Sequence, residues 1–109
     1  MAETKKRKVI YKPPDLLFLN RTNFCPGCQH GVVTRLIAEA IEELGIEGRC
    51  IGVGGVGCHA MAANIMNVDF IHALHGRAPC VATGLKRGHY GKKVVFTPQG
   101  DGDLAAIGM

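Results

Sequence analysis

The sequence predicts an α/β fold: a parallel sheet with crossover helices. Three observations carry that reading. Short apolar runs alternate with segments of helical period, which is the pattern of strands joined by crossover helices. The 109 residues include 15 Gly but only four Phe, two Tyr and no Trp, a composition suited to close packing and tight turns. The glycine-rich turns at 54–59, 75–79 and 99–103 each follow an apolar run, so each leaves the C-terminal end of a strand.

The length bounds the chain to one domain at most. Its net charge of +4 is concentrated in Lys5-Lys6-Arg7-Lys8, which reads as a solvated tail. No apolar stretch follows that run as it would in a signal peptide, and no window of about 20 residues is apolar enough to span a membrane. Five Cys in a chain without a secretion signal argue for a reducing, cytoplasmic compartment. The organisation that follows is a basic tail and extended segment over 1–23 and an α/β unit over 24–109. Pro13-Pro14 keeps the first part extended, and Leu16-Leu17-Phe18-Leu19 is expected to pack on another surface, in this chain or a partner.

Phe24 to Gly31 reads as a loop in which Pro26 and Gly27 turn the chain and bring Cys25 and Cys28 together. Cys-x-x-Cys in such a setting fits a metal or iron–sulfur site better than a redox dithiol, because no strand precedes it. A helix is expected from about His30 to Leu44, with Val32, Val33, Leu36, Ile37, Ala40, Ile41 and Leu44 on the face toward a sheet. Thr34, Arg35, Glu39, Glu42 and Glu43 would face away, and Gly45 would end the helix.

Arg49 to Val53 is the next strand. It runs into Gly54-Gly55-Val56-Gly57-Cys58-His59, where Gly52, Gly54 and Gly57 match a dinucleotide fingerprint weakly. The preferred reading is that these glycines allow a close backbone approach, with Cys58 at the tip. A short helix over Ala60–Met66 and a strand over Phe70–Leu74 come next, then a polar cluster of His72, His75 and Arg77. Pro79 opens a second helix with Val81, Ala82, Gly84 and Leu85 on one packed face. Cys50 and Cys80 read as core residues. Val94-Val95-Phe96 is the last strand, and the helix over Leu104–Met109 begins after Gly100-Asp101-Gly102-Asp103. Two carboxylates in a glycine-rich strand-to-helix turn would repel a bare phosphate; they suit a diphosphate held through a hard cation such as Mg²⁺.

In this order, Cys25-Pro26-Gly27-Cys28-x-His30-Gly31, Gly55-x-Gly57-Cys58, His72-x-x-His75-Gly76-Arg77-Ala78, Ala82-Thr83-Gly84-x-Lys86 and Gly100-Asp101-Gly102-Asp103 resemble the thiamine-diphosphate-binding beta subunit of the 2-oxoacid:ferredoxin oxidoreductases. The resemblance covers about 24–109, and the 2-oxoisovalerate branch is nearest in texture. It implies decarboxylation of a 2-oxoacid on thiamine diphosphate, transfer of the acyl group to coenzyme A, and passage of electrons through a [4Fe–4S] cluster to ferredoxin. Under it Cys25, Cys28 and Cys58 are cluster ligands and Asp101 is the Mg²⁺ ligand. Gly57, Cys58, His75, Gly76, Gly100, Gly102 and Asp103 line the cofactor site, and the other subunits of the complex are partners. Position 29 is Gln where the family often has Gly. The family's fourth cluster cysteine and an Asn-containing stretch of its Mg²⁺ motif lie beyond position 109. The expectation is therefore the N-terminal part of a longer subunit, inactive as an oxidoreductase by itself.

A competing reading is a zinc-stabilised binding module in which Cys25, Cys28 and Cys58 join His59 or His30, and the basic tail touches RNA. The long spacing between ligand pairs and the lack of an aromatic stacking platform weigh against it, so no nucleic-acid partner is expected.

Overall fold

The computed structural model describes residues 7–18, 22–89 and 92–109. Lys5 and Lys6 of the basic run and Leu19 of the apolar run lie outside the described residues. Helix α1 (Gln29–Leu44) comes first, then strand β1 (Cys50–Gly54), strand β2 (Asp69–His72), helix α2 (Ala78–Gly88) and strand β3 (Val94–Phe96). A short 3₁₀ segment, Cys58–Asn64, leads from β1 toward β2, and a π-helical turn, Gly102–Ile107, follows β3. The three strands form a parallel sheet in the order β2-β1-β3. β1 is central and buried at every residue, whereas β2 and β3 are mostly half-buried or exposed. All three loops after the strands therefore leave the same edge of the sheet, as the alternation predicts.

The register of the sheet explains one glycine of β1. Gly52 stands opposite Phe70 on one side and Phe96 on the other. The two rings meet edge-on over it, with centroids 5.8 Å apart and planes at 84°. A Cβ at position 52 would run into the Phe70 ring. The glycine fills no dinucleotide role here; it makes room for two aromatics.

The core lies between α1, the 3₁₀ segment and β1. Ala38, Ile41, Ile46, Cys50, Ala62, Ile65 and Met66 are buried together with Leu16. The N-terminal extended segment thus packs on its own chain. Leu17 forms an antiparallel bridge with Met66, and the Phe18 and Asn67 amides donate to the Ile65 and Leu16 carbonyls at 2.8 Å each. The Leu16 amide donates to the Glu42 carboxylate on α1 at 2.6 Å. Burial pushes the Cys50 thiol up from its ordinary value, as befits a core residue.

Three expectations are corrected. On α1 the buried residues are Thr34, Ala38 and Ile41, while Val32, Val33, Leu36 and Leu44 are exposed. Thr34 tolerates burial because its hydroxyl donates to the His30 carbonyl at 2.7 Å. The apolar residues of α1 span more than one face, and the described residues cover only the stripe through 34, 38 and 41. Cys80 is exposed, and Gly84 faces open space, because α2 packs through one side onto β1 and β3 and the described residues leave its other side uncovered. The segment after the Gly-Asp-Gly-Asp loop starts earlier than Leu104 and winds as a π-turn.

Replacing Gly52 by Ala should lower stability by about 1–3 kcal/mol, because the new methyl forces the Phe70 ring out of its place. Urea denaturation checks this, and an unchanged midpoint would rule out the packing assigned to Gly52.

Candidate functional site

A cavity of about 410 Å³ between α2 and β3 holds none of the sequence-predicted site residues. The one that does, about 260 Å³, lies at the sheet edge where the three loops meet. It is lined by His30, Val56, Gly57, Cys58, His59, His75 and Gly100 to Asp103. Residues from four segments that are distant in sequence thus converge on one place.

The two aspartates of the last loop divide. Asp103 turns inward and is 2 % exposed. Its Oδ1 accepts the Gly76 amide at 2.6 Å and stands 3.0 Å from His75 Nδ1; its Oδ2 is 3.3 Å from His59 Nε2. Burial raises the carboxyl's pKa, but the backbone at Gly76 and Val56, His59 and Gln99 together outweigh it and hold the group below the usual carboxylate value. The fit is tight enough that a Cβ on Gly55 would collide with the Asp103 carboxylate. Gly55 therefore serves the close approach foreseen for this turn. Asp101 is exposed at the cavity, with no hydrogen bond or ion pair among the described residues.

His59 is 3 % exposed, and burial depresses its pKa against the opposing pull of Asp103. It follows that the imidazole is neutral near pH 7. Its ring lies 6.1 Å from that of His30, which in turn stacks on Phe24 at 6.0 Å. These rings bridge the Cys25–Cys28 turn to the Cys58 loop. The turn itself forms as expected: the Cys28 amide donates to the Cys25 carbonyl at 3.0 Å, and Gly27 takes a positive φ. His59 Nε2, Gln99 Nε2 and Asp103 Oδ2 are buried without an aligned hydrogen-bond partner among the described residues.

Gly57, Cys58, His75, Gly100, Asp101, Gly102 and Asp103 line the cavity, and the Gly76 amide holds one wall through Asp103. His72 and Arg77 are exposed and do not line it. Among the described residues, no three His, Cys, Asp or Glu side chains are grouped so as to hold a metal ion, so Cys25, Cys28 and Cys58 do not form a ready-made ligand set. His59 was legible only as a zinc candidate, and its turn toward Asp103 is new. Gly55 and Gly57, which precede it, are the signal for bulky buried neighbours: a Cβ on the first would meet Asp103 and on the second His59.

The chain matches no protein-family model. It is 42 % identical over 112 residues to ketoisovalerate oxidoreductase subunit VorA of Methanothermobacter marburgensis, covering 94 % of this chain and 23 % of the relative. It is 46 % identical over 87 residues to 2-oxoglutarate synthase subunit KorB of Methanocaldococcus jannaschii, covering 78 % of this chain and 32 % of the relative. Among solved structures it superposes, with a TM-score of 0.80 and 34 % identity, on a 2-oxoglutarate:ferredoxin oxidoreductase from Magnetococcus marinus with 2-oxoglutarate, coenzyme A and succinyl-CoA bound. That match covers 91 % of this chain and 34 % of the other. The chain belongs to the beta-subunit family of the 2-oxoacid:ferredoxin oxidoreductases. It spans between about a quarter and a third of the length of these relatives. Family membership fits the α/β sheet and its converging loops. Among the described residues, no helix is long and apolar enough to cross a membrane.

The split between the aspartates is testable. Asp103→Ala strands the buried Gly76 amide and should cost about 1–3 kcal/mol. Asp101→Ala at the exposed position should stay within about 0.5 kcal/mol. Equal losses in urea denaturation would contradict the division.

Proposed function

We propose that this chain forms part of a 2-oxoacid:ferredoxin oxidoreductase and supplies the Mg²⁺–thiamine diphosphate edge of its active site. The observation that carries the reading is the exposed carboxylate of Asp101, without a partner among the described residues, at a cavity it lines together with Gly57, Gly100 and Gly102. A carboxylate left without a partner beside Gly57, Gly100 and Gly102 fits a hard cation that carries a diphosphate. Asp101 would hold the Mg²⁺, and the backbone at Gly100, Gly102 and Asp103 would border the diphosphate. When bound, the cofactor supplies the carbanion chemistry that releases carbon dioxide from a 2-oxoacid.

The protein's own contribution is positional. Asp103 holds the 75–77 loop against the 99–103 loop, and buried neutral His59 fills the space beneath Gly57 and Gly100 without adding charge. Cys25, Cys28 and Cys58 would be ligands of a [4Fe–4S] cluster that accepts electrons bound for ferredoxin. The support is the Cys25–Cys28 turn and the ring contacts that join it to the Cys58 loop. Among the described residues the three thiols are not grouped as a ligand set as they stand. The acyl acceptor would be coenzyme A, the other subunits of the complex would be partners, and the compartment would be the reducing cytoplasm. The substrate would be a 2-oxoacid, with 2-oxoisovalerate favoured by the VorA relative matched over 94 % of the chain.

Iron, acid-labile sulfide and zinc should be measured on the anaerobically prepared full-length subunit with its co-purifying partners. Iron and sulfide in equal amounts, lost in Cys58→Ser and kept in Cys50→Ser, is the expected result; zinc without sulfide would overturn the cluster. Calorimetry with Mg²⁺ and thiamine diphosphate tests the cofactor site separately. Asp101→Asn should weaken binding at least about tenfold.

A further inference from the structure

Of the side chains that line the cavity, His75 is held by one edge of its ring. Its Nδ1 lies 3.0 Å from the Val56 carbonyl oxygen and 3.0 Å from Asp103 Oδ1. Neither oxygen has a proton to give: one is a carbonyl, and the other belongs to a carboxylate already accepting the Gly76 amide. Nδ1 must therefore be the donor, and its N–H is aimed at the Val56 carbonyl. A neutral imidazole carries a single proton, so Nε2 is left bare. The side chain is 38 % exposed although its Nδ1 edge abuts the 1 % exposed carboxylate of Asp103, so the exposure belongs to the opposite edge of the ring. His75 lines the cavity together with Asp101 and Gly102.

We propose that His75 is locked as its Nδ1–H tautomer and presents Nε2 as the hydrogen-bond acceptor for an N–H or O–H group of the cavity's ligand. The ligand class rests on the function proposed above: a diphosphate ester, held through Mg²⁺ at Asp101, that also carries an amino or hydroxyl donor. The lock itself does not rest on that function; it follows from the Val56 and Asp103 oxygens. Two anchoring acceptors on one edge fix both the tautomer and the ring plane, so the acceptor is in place before any ligand arrives.

The test uses the full-length subunit labelled with ¹⁵N-histidine, with the His75 signals assigned by their loss in His75→Gln. Long-range proton–nitrogen spectra without ligand should show a protonated Nδ1 and an unprotonated Nε2 at His75. The opposite tautomer, or an average of the two, would overturn the lock. Mg²⁺ and thiamine diphosphate are then added, with the Gly100 and Gly102 amides reporting occupancy. Movement of those amides together with His75 Nε2 supports the acceptor role, and movement of the amides alone overturns it. Silence of both overturns the cofactor reading, and with it the ligand class.

Two substitutions separate support of the fold from contact with the ligand. His75→Asn keeps a donor where Nδ1 stands and removes the distal acceptor. It should retain the thermal midpoint yet bind the cofactor about tenfold more weakly, the worth of one hydrogen bond. Unchanged affinity in His75→Asn would leave His75 a purely structural residue and end the proposal.

Discussion

The structure depends most on one buried carboxylate. Taking Asp103 out of water costs free energy, and that cost is offset because the Gly76 and Val56 amides and His59 converge on it. These partners lie on the loops after β1 and β2, whereas Asp103 lies on the loop after β3. A single charge therefore ties all three strand-end loops into one unit. Without it the topology would still bring the loops to one edge of the sheet, and His75 would still bond the Val56 carbonyl, but the Gly76 bond to the last loop would be lost. The same demand explains Gly55, where any side chain would occupy the place of the carboxylate.

The larger frame was legible in the sequence for a physical reason. Alternating short apolar runs and helical segments leave a parallel sheet as the natural arrangement, and a parallel sheet sends every strand-to-helix loop to the same edge. The convergence of 56–59, 75 and 100–103 on one cavity follows from that rule without help from any single motif. The face of α1 was not legible, because its apolar residues cover more of the circumference than the described chain buries. Periodicity reports which residues could be buried; the neighbours decide which ones are. Thr34 shows the converse, since a hydroxyl that bonds the preceding turn enters the core at little cost.

The two aspartates mark the limit of reading a motif. In Gly100-Asp101-Gly102-Asp103 both carboxylates look equally suited to a cation. Their difference arises from elements far away in sequence: Gly55 opens space for the carboxylate at 103, and Gly76 supplies its donor. Position 101 meets neither and stays exposed. Nothing local distinguishes them, so their roles become visible only once the three loops are assembled.

His59 and His75 extend that logic to protons. Both rings face the same carboxylate, but through different nitrogens: Nε2 in His59 and Nδ1 in His75. His59 is enclosed, and burial favours its neutral form; His75 is anchored at one edge and open at the other. A proton held on the nitrogen that faces the carboxylate would leave each neutral imidazole with its remaining nitrogen unprotonated. For His59 that nitrogen lies beside Gly57 and Gly100, and for His75 it lies on the exposed edge. Asp103 thus does more than join the loops. It sets where the protons of the site reside, and it leaves Asp101 as the carboxylate available to a ligand.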